Sequence, residues 1–327
     1  SRHWKKIHYL PLDASAAEIQ DRFDRNEGFE FSLKDCSVRI NKTDYVKLKQ
    51  RFYRCVSPGY GPNDDDFHDR VFCLLARYGT SVGAPKLATA GGELGFHHSL
   101  HADVFAVLKS RFNCSIESFA SPLNASLNRF CSPFPEDRAF GSLGSFFDCD
   151  LEKLALEFGS KGLDGSGGLE GRPKVGTGGC FQVFPPNLPP LLEALTHKLT
   201  RVLSNSTVPL MFIVFLLAPP SRDQAKPIKA SSGSHLAWET LQASAHCAKF
   251  VPVRAKQHGF RDGSGYCNRR QFVEAVADAG VFFLQNTAAQ QLAQKAPSSA
   301  NANKSSNNPW RITDSAVQAL LQAMRCR

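Results

Sequence analysis

Residues 179–218 read GCFQVFPPNLPPLLEALTHKLTRVLSNSTVPLMFIVFLLA. The stretch opens with an apolar run that ends in two prolines and closes with nine consecutive apolar residues, Leu210 to Ala218. Between them, Leu191, Leu192, Leu195, Leu199 and Val202 recur at helical spacing on one face. Strand, amphipathic helix, fully apolar strand is one βαβ unit. Apolar residues on both faces of a strand mean a sheet covered on both sides.

CSIESFA (114–120), AKFVPV (248–253) and VFFLQN (281–286) are further short apolar runs bounded by helical or turn-forming sequence. They predict an α/β domain over 111–287. Before it, SAAEIQDRFDR, TDYVKLKQRFYR, DFHDRVFCLLARYGT and LHADVFAVLKSRF carry apolar residues three and four apart, which predicts a helical lobe over 1–110. Asp64 to Asp66 suit a helix N-terminus. Residues 159–179 hold nine glycines in twenty-one positions and read as an insert; 288–309, rich in Ala, Gln, Asn and Ser, reads as a low-complexity linker. A helix is expected over 310–327, capped by Thr313 or Asp314.

The chain has 327 residues, 42% hydrophobic and 21% charged, a composition that can support a packed core. Thirty-nine Lys and Arg against thirty Asp and Glu give a net charge of +9, which favours a polyanionic partner such as nucleic acid. Ten cysteines are scattered singly with no C-x-x-C pair, which speaks against a zinc or redox motif and fits a reducing nuclear or cytosolic compartment. His97, His98 and His101 lack supporting Cys or carboxylate spacing, so no metal is expected. The nine-residue apolar run is far short of the roughly 20 residues a membrane helix needs.

Two strand ends carry the chemistry. Ile116 to Asn124 (IESFASPLN) ends a strand in an acidic residue followed by small side chains, which let a cofactor approach the backbone. Phe184-Pro185-Pro186-Asn187 follows the next strand, where two prolines hold the chain extended at the edge that bears the active sites of open α/β sheets.

ESFASPLN, RFCSPFPEDRAFGSLGS, the GCFQV strand with its two prolines, MFIVF and VFFLQN occur in this order. Together they resemble the phosphorylated-CTD-interacting factor family, the cap-specific adenosine N6-methyltransferases, over about residues 67–286. INKTDYVKLKQRF agrees with that family's helical domain more loosely. The resemblance implies a Rossmann-like class I methyltransferase domain with an N-terminal helical lobe. It implies methyl transfer from S-adenosylmethionine to N6 of the adenosine beside the 7-methylguanosine cap of mRNA. Capped mRNA and the phosphorylated tail of RNA polymerase II are the implied partners, and the nucleus is the implied compartment.

Residue by residue, Glu117, Ala120, Ser121, Pro122, Leu123 and Asn124 match the cofactor-side block, as do Phe140, Gly141 and Ser142; Phe184 to Asn187 occupy the catalytic tetrad. The tetrad departs from the family's Asn-Pro-Pro-Phe by exchanging its ends. In amino-group methyltransferases the leading Asn or Asp accepts a hydrogen bond from the amine and the trailing aromatic stacks on the base. A phenyl ring cannot accept that bond. Three outcomes are open: Asn187 reaches the base while Phe184 stacks, the target is another cap-proximal base such as uracil, or binding persists without turnover. Gly141-Ser142-Leu143-Gly144 likewise lacks the Arg of the family's Gly-Ser-Arg-Gly. Lys5, Lys6, Lys47, Lys49, Arg51 and Arg54, interleaved with Trp4, Tyr45, Phe52 and Tyr53, form a candidate RNA surface. His258 and Arg261 are expected to face substrate.

Overall fold

A computed structural model describes residues 28–33, 36–55, 64–82, 98–159, 178–219, 232–263, 266, 272–294 and 308–325. Lys5, Lys6, Trp4, His97, and most of the expected 159–179 insert and 288–309 linker lie outside them. Six strands form the central sheet: β3 (Cys114–Glu117), β4 (Arg129–Phe130), β5 (Gly179–Val183), β6 (Leu210–Leu217), β7 (Cys247–Val253) and β10 (Ala279–Gln285). Their order is β4-β3-β5-β6-β10-β7. The pairs β3–β4, β3–β5 and β5–β6 are parallel, and β10 is antiparallel to both β6 and β7, so only β10 runs against the others. The sheet is mixed α/β and mostly parallel, compatible with a Rossmann-like arrangement.

Alternation along β6 divides the core. Met211, Ile213 and Phe215 enter one cluster with α3 (Ala102–Phe112) and α8 (Asp314–Met324). Leu210, Phe212, Val214 and Leu216 enter the other, with α4 (Leu151–Phe158), α5 (Pro189–Asn205) and α6 (Ser232–Ala243). The side-chain period of two sends successive residues to opposite faces, each buried Leu, Ile or Phe contributing about 1.5–3 kcal/mol. The two prolines opening α5 sit where a helix has no use for the missing N–H groups. Thr313 caps α8 by accepting from the Ala316 N–H at 3.2 Å.

A third cluster lies N-terminal to the sheet. The described part of 1–110 is not wholly helical: β1 (Gly28–Leu33) and β2 (Cys36–Asn41) form an antiparallel hairpin ahead of α1 (Lys42–Cys55) and α2 (Asp64–Val82). Phe31, Ile40, Leu48, Phe52, Phe67 and Leu75 pack there with Leu123 and Phe140, so this lobe rests on the loops that follow β3 and β4. The helical repeat over 100–112, expected in this lobe, forms α3 and packs on the sheet through Val104, Leu108 and Phe112. A small hairpin, β8 (Gly259–Arg261) with β9 (Phe272–Glu274), flanks the sheet. Residues 288–294, expected to open a low-complexity linker, instead continue α7 (Thr287–Gln294), and Asn286 caps it by accepting from the Ala289 N–H at 3.0 Å. No helix among the described residues is long and apolar enough to cross a membrane.

Candidate functional site

Because β3 is flanked by β4 on one side and β5 on the other, the chain reverses its winding between β3 and β5. Crevices form at such a point outside the carboxyl ends of the strands. A cavity of about 280 Å³ opens there, close to the roughly 300 Å³ at which small-molecule sites begin. Its walls are Ser118 to Ser121 and Asn124 after β3, Phe184 to Asn187 after β5, Cys131 to Phe134, Ser145 to Phe147, Tyr78 from α2, and His98.

Of the residues expected at the site, Ala120, Ser121, Asn124 and the whole Phe184–Asn187 tetrad line this one cavity. Ser121 and Asn124 brace each other: the Ser121 N–H donates to Asn124 Oδ1 at 2.7 Å, and the Asn124 N–H donates to Ser121 Oγ at 3.3 Å. Phe184 stacks on Phe260 with ring centroids 5.0 Å apart. Asn187 is exposed, and its Oδ1 accepts from Ser234 Oγ at 3.4 Å.

The remaining expected residues do not line the cavity. Glu117 is 2% exposed, and its Oε2 accepts the N–H groups of Ser126 and Leu127 at 2.8 and 3.1 Å. Burial pushes its carboxyl up to about 7, against the pull of those two donors and of Lys47 and Arg51. Leu123 and Phe140 belong to the N-terminal cluster. Gly141 ends a 3-10 turn (Pro135–Phe140) at φ 98°, a conformation that favours glycine, and Ser142 Oγ accepts from the Gly144 N–H at 3.1 Å. Pro122 is buried in the turn between Ser121 and Asn124. These positions shape the backbone beneath the cavity.

The expected RNA surface is largely committed elsewhere. Lys47 Nζ donates to Leu123 O at 2.7 Å, and Arg51 donates to both Ala125 O and Leu127 O at 2.9 Å. Desolvation lowers the Lys47 ammonium to about 8. Lys49 pairs with Asp64 at 3.0 Å, and Arg54 donates to Asn128 Oδ1 at 3.0 Å. Arg261 lies 3.6 Å from Asp44. His258 is 0% exposed, and its Nδ1 lies 2.9 Å from Arg254 O, so it faces core rather than solvent.

Two side chains outside the expected set hold lining residues in place. Asp137, fully buried, accepts from Tyr78 OH at 2.7 Å and also engages Ser132 Oγ and the Arg77 guanidinium. Lys198 on α5 donates to Phe147 O at 2.7 Å and Cys149 O at 2.9 Å, fixing the aromatic loop. Asp137 within the RFCSPFPEDRAF block and a lysine on the largely apolar buried face of α5 are the signals the sequence carries. Among the described residues no group of three or more His, Cys, Asp or Glu is placed to hold a metal ion.

Residues 47–263 match the family described as phosphorylated CTD interacting factor 1 WW domain. The chain belongs to this family. The match runs from α1 to β8 and so includes the cavity and most of the lobe that braces it. Over 253 residues the chain is 30% identical to a human protein and 29% identical to a mouse protein, each named mRNA (2'-O-methyladenosine-N(6)-)-methyltransferase. The alignment covers 76% of this chain and 30% of each relative, so the chain spans under a third of the length of these family members.

Proposed function

We propose that this chain is an S-adenosylmethionine-dependent RNA methyltransferase acting on N6 of the adenosine next to the 7-methylguanosine cap of mRNA. The observation that carries the reading is the placement of the Phe184–Asn187 tetrad in one cavity with Ser118 to Ser121 at the reversal between β3 and β5, in a chain of this family. We take the sheet to be a class I methyltransferase domain on the same grounds.

Ser118 Oγ, buried and without a hydrogen-bond partner among the described residues, and the small side chains at Ala120 and Ser121 suit a cofactor that brings its own polar groups. Ser118, Ala120, Ser121 and Asn124 would hold it, and Phe146 and Phe147 would cover its apolar parts. When bound, S-adenosylmethionine supplies an electrophilic methyl group. The protein's task is orientation: the amine lone pair must point at that methyl while water is kept out, and no strong base is needed. Capped mRNA as substrate, the phosphorylated polymerase tail as partner and the nucleus as compartment complete the proposal.

One observation favours a second reading, in which the chain binds capped RNA without turnover or methylates another cap-proximal base such as uridine. Phe184, at the position where family members are read to carry the amine acceptor, has no acceptor atom and is already engaged with Phe260. Calorimetry with S-adenosylmethionine and S-adenosylhomocysteine tests the main reading. Saturable binding is expected, and no heat at millimolar ligand contradicts it.

A further inference from the structure

His98 lies where the segment before α3 is tied to β8: the Ser99 N–H donates to Arg261 O at 3.1 Å and the Arg261 N–H donates to Ser99 O at 2.7 Å. This tether sets the imidazole in the wall of the same cavity as the tetrad. Its ring is 6.3 Å from Phe260, the residue on which Phe184 stacks. His98 Nδ1 is buried and has no hydrogen-bond partner among the described residues. A buried polar atom left unpaired is costly, and on a cavity-lining residue a ligand or a bound water can complete it. Burial lowers the imidazole pKa, outweighing the opposing effect of Asp262, so at neutral pH the ring keeps one nitrogen as an acceptor.

Among the described residues, Ser118 Oγ is the other unpartnered buried side-chain atom on a cavity-lining residue, and it belongs to the strand end assigned to the cofactor. That leaves His98 for the second ligand. We propose that His98 reads the target base, its imidazole accepting a hydrogen bond from the exocyclic amine of the adenine while the Phe184–Phe260 pair supports the ring. The inference rests on the methyl-transfer reading above and assigns it a specificity-determining residue outside the tetrad. It also accounts for a tetrad that opens with Phe184: the acceptor is supplied from another segment, and the phenyl ring serves as wall.

The test combines two measurements on the full chain. In histidine-selective ¹⁵N NMR with S-adenosylhomocysteine bound, addition of capped RNA beginning with adenosine is expected to shift the ring-nitrogen resonances of His98. In turnover assays on the same RNA, His98→Ala is expected to lower kcat by about 100-fold, as for loss of one oriented contact, with S-adenosylhomocysteine affinity held within about two-fold. His98→Gln, which restores an acceptor oxygen, is expected to recover part of the loss. Unshifted His98 resonances in the presence of bound RNA overturn the proposal even if the variants fail to fold. So does a His98→Ala protein that keeps its turnover, or one that loses cofactor affinity in step with it. If the unaltered chain binds no S-adenosylhomocysteine at all, the methyl-transfer reading itself fails and this inference falls with it.

Discussion

Phe184 stacks on Phe260 with the two ring planes 18° apart, which joins the end of β5 to the β8–β9 hairpin. The tetrad is therefore held from outside the sheet, and its first side chain forms part of a wall. In a double-mutant cycle, Phe184→Ala and Phe260→Ala are expected to show a coupling of about 0.5–1.5 kcal/mol in urea denaturation, the value for an aromatic pair beyond its buried area. Additive losses would mean that the rings do not support each other.

Arg51 sits on a helix face that reads as a solvated basic patch, yet it is 7% exposed and donates to the Ala125 and Leu127 carbonyls. Arg51→Met is expected to cost about 1.5–3 kcal/mol per lost charge-assisted bond, measured by chemical denaturation. Arg54→Met, on an exposed side chain, is expected to stay within about 0.5 kcal/mol of the parent. Equal effects from the two substitutions would remove the clamp from the account.

Much of this was legible in the sequence, and the reasons for the rest are physical. Runs such as LMFIVFLL and AGVFFLQ are apolar on both faces, so only a covered sheet accommodates them. GFEFSL and CSVRIN do alternate, but they are short and stand beside longer helical repeats that dominate any window. Lys47 and Arg51 were misleading because their carbonyl partners lie 74 to 76 residues away, and helix periodicity carries no trace of so distant a contact. Tyr78, His98 and Ser132 reach the cavity from three separate segments, which only the fold assembles.

The buried Glu117 carboxyl gives a pH dependence of definite sign. Its pKa rises from 4.5 to about 7 on folding, so between those values the folded state holds more protons than the unfolded one. This group's contribution is fully present below about pH 4.5 and is lost as the pH rises to about 7, by at most about 3 kcal/mol. Denaturation midpoints compared at pH 5 and pH 7.5 should show this decline, and Glu117→Gln should flatten it. An unchanged slope in the variant would assign the pH dependence to other groups.

Lys198 holds the loop that carries Phe146 and Phe147 through two carbonyls. Lys198→Met is expected to weaken S-adenosylhomocysteine binding by roughly 10-fold in calorimetry while costing about 1–3 kcal/mol of stability. Intact affinity in the variant would show that the aromatic loop is positioned by its own packing.

The most direct measurement incubates the chain with S-adenosylmethionine and capped RNAs whose first transcribed nucleotide is A, U, C or G, followed by nucleoside mass spectrometry. The account predicts a methyl group on N6 of the first adenosine and none on the other three RNAs. Methylation confined to uridine, or cofactor and RNA binding without any transferred methyl, would contradict it.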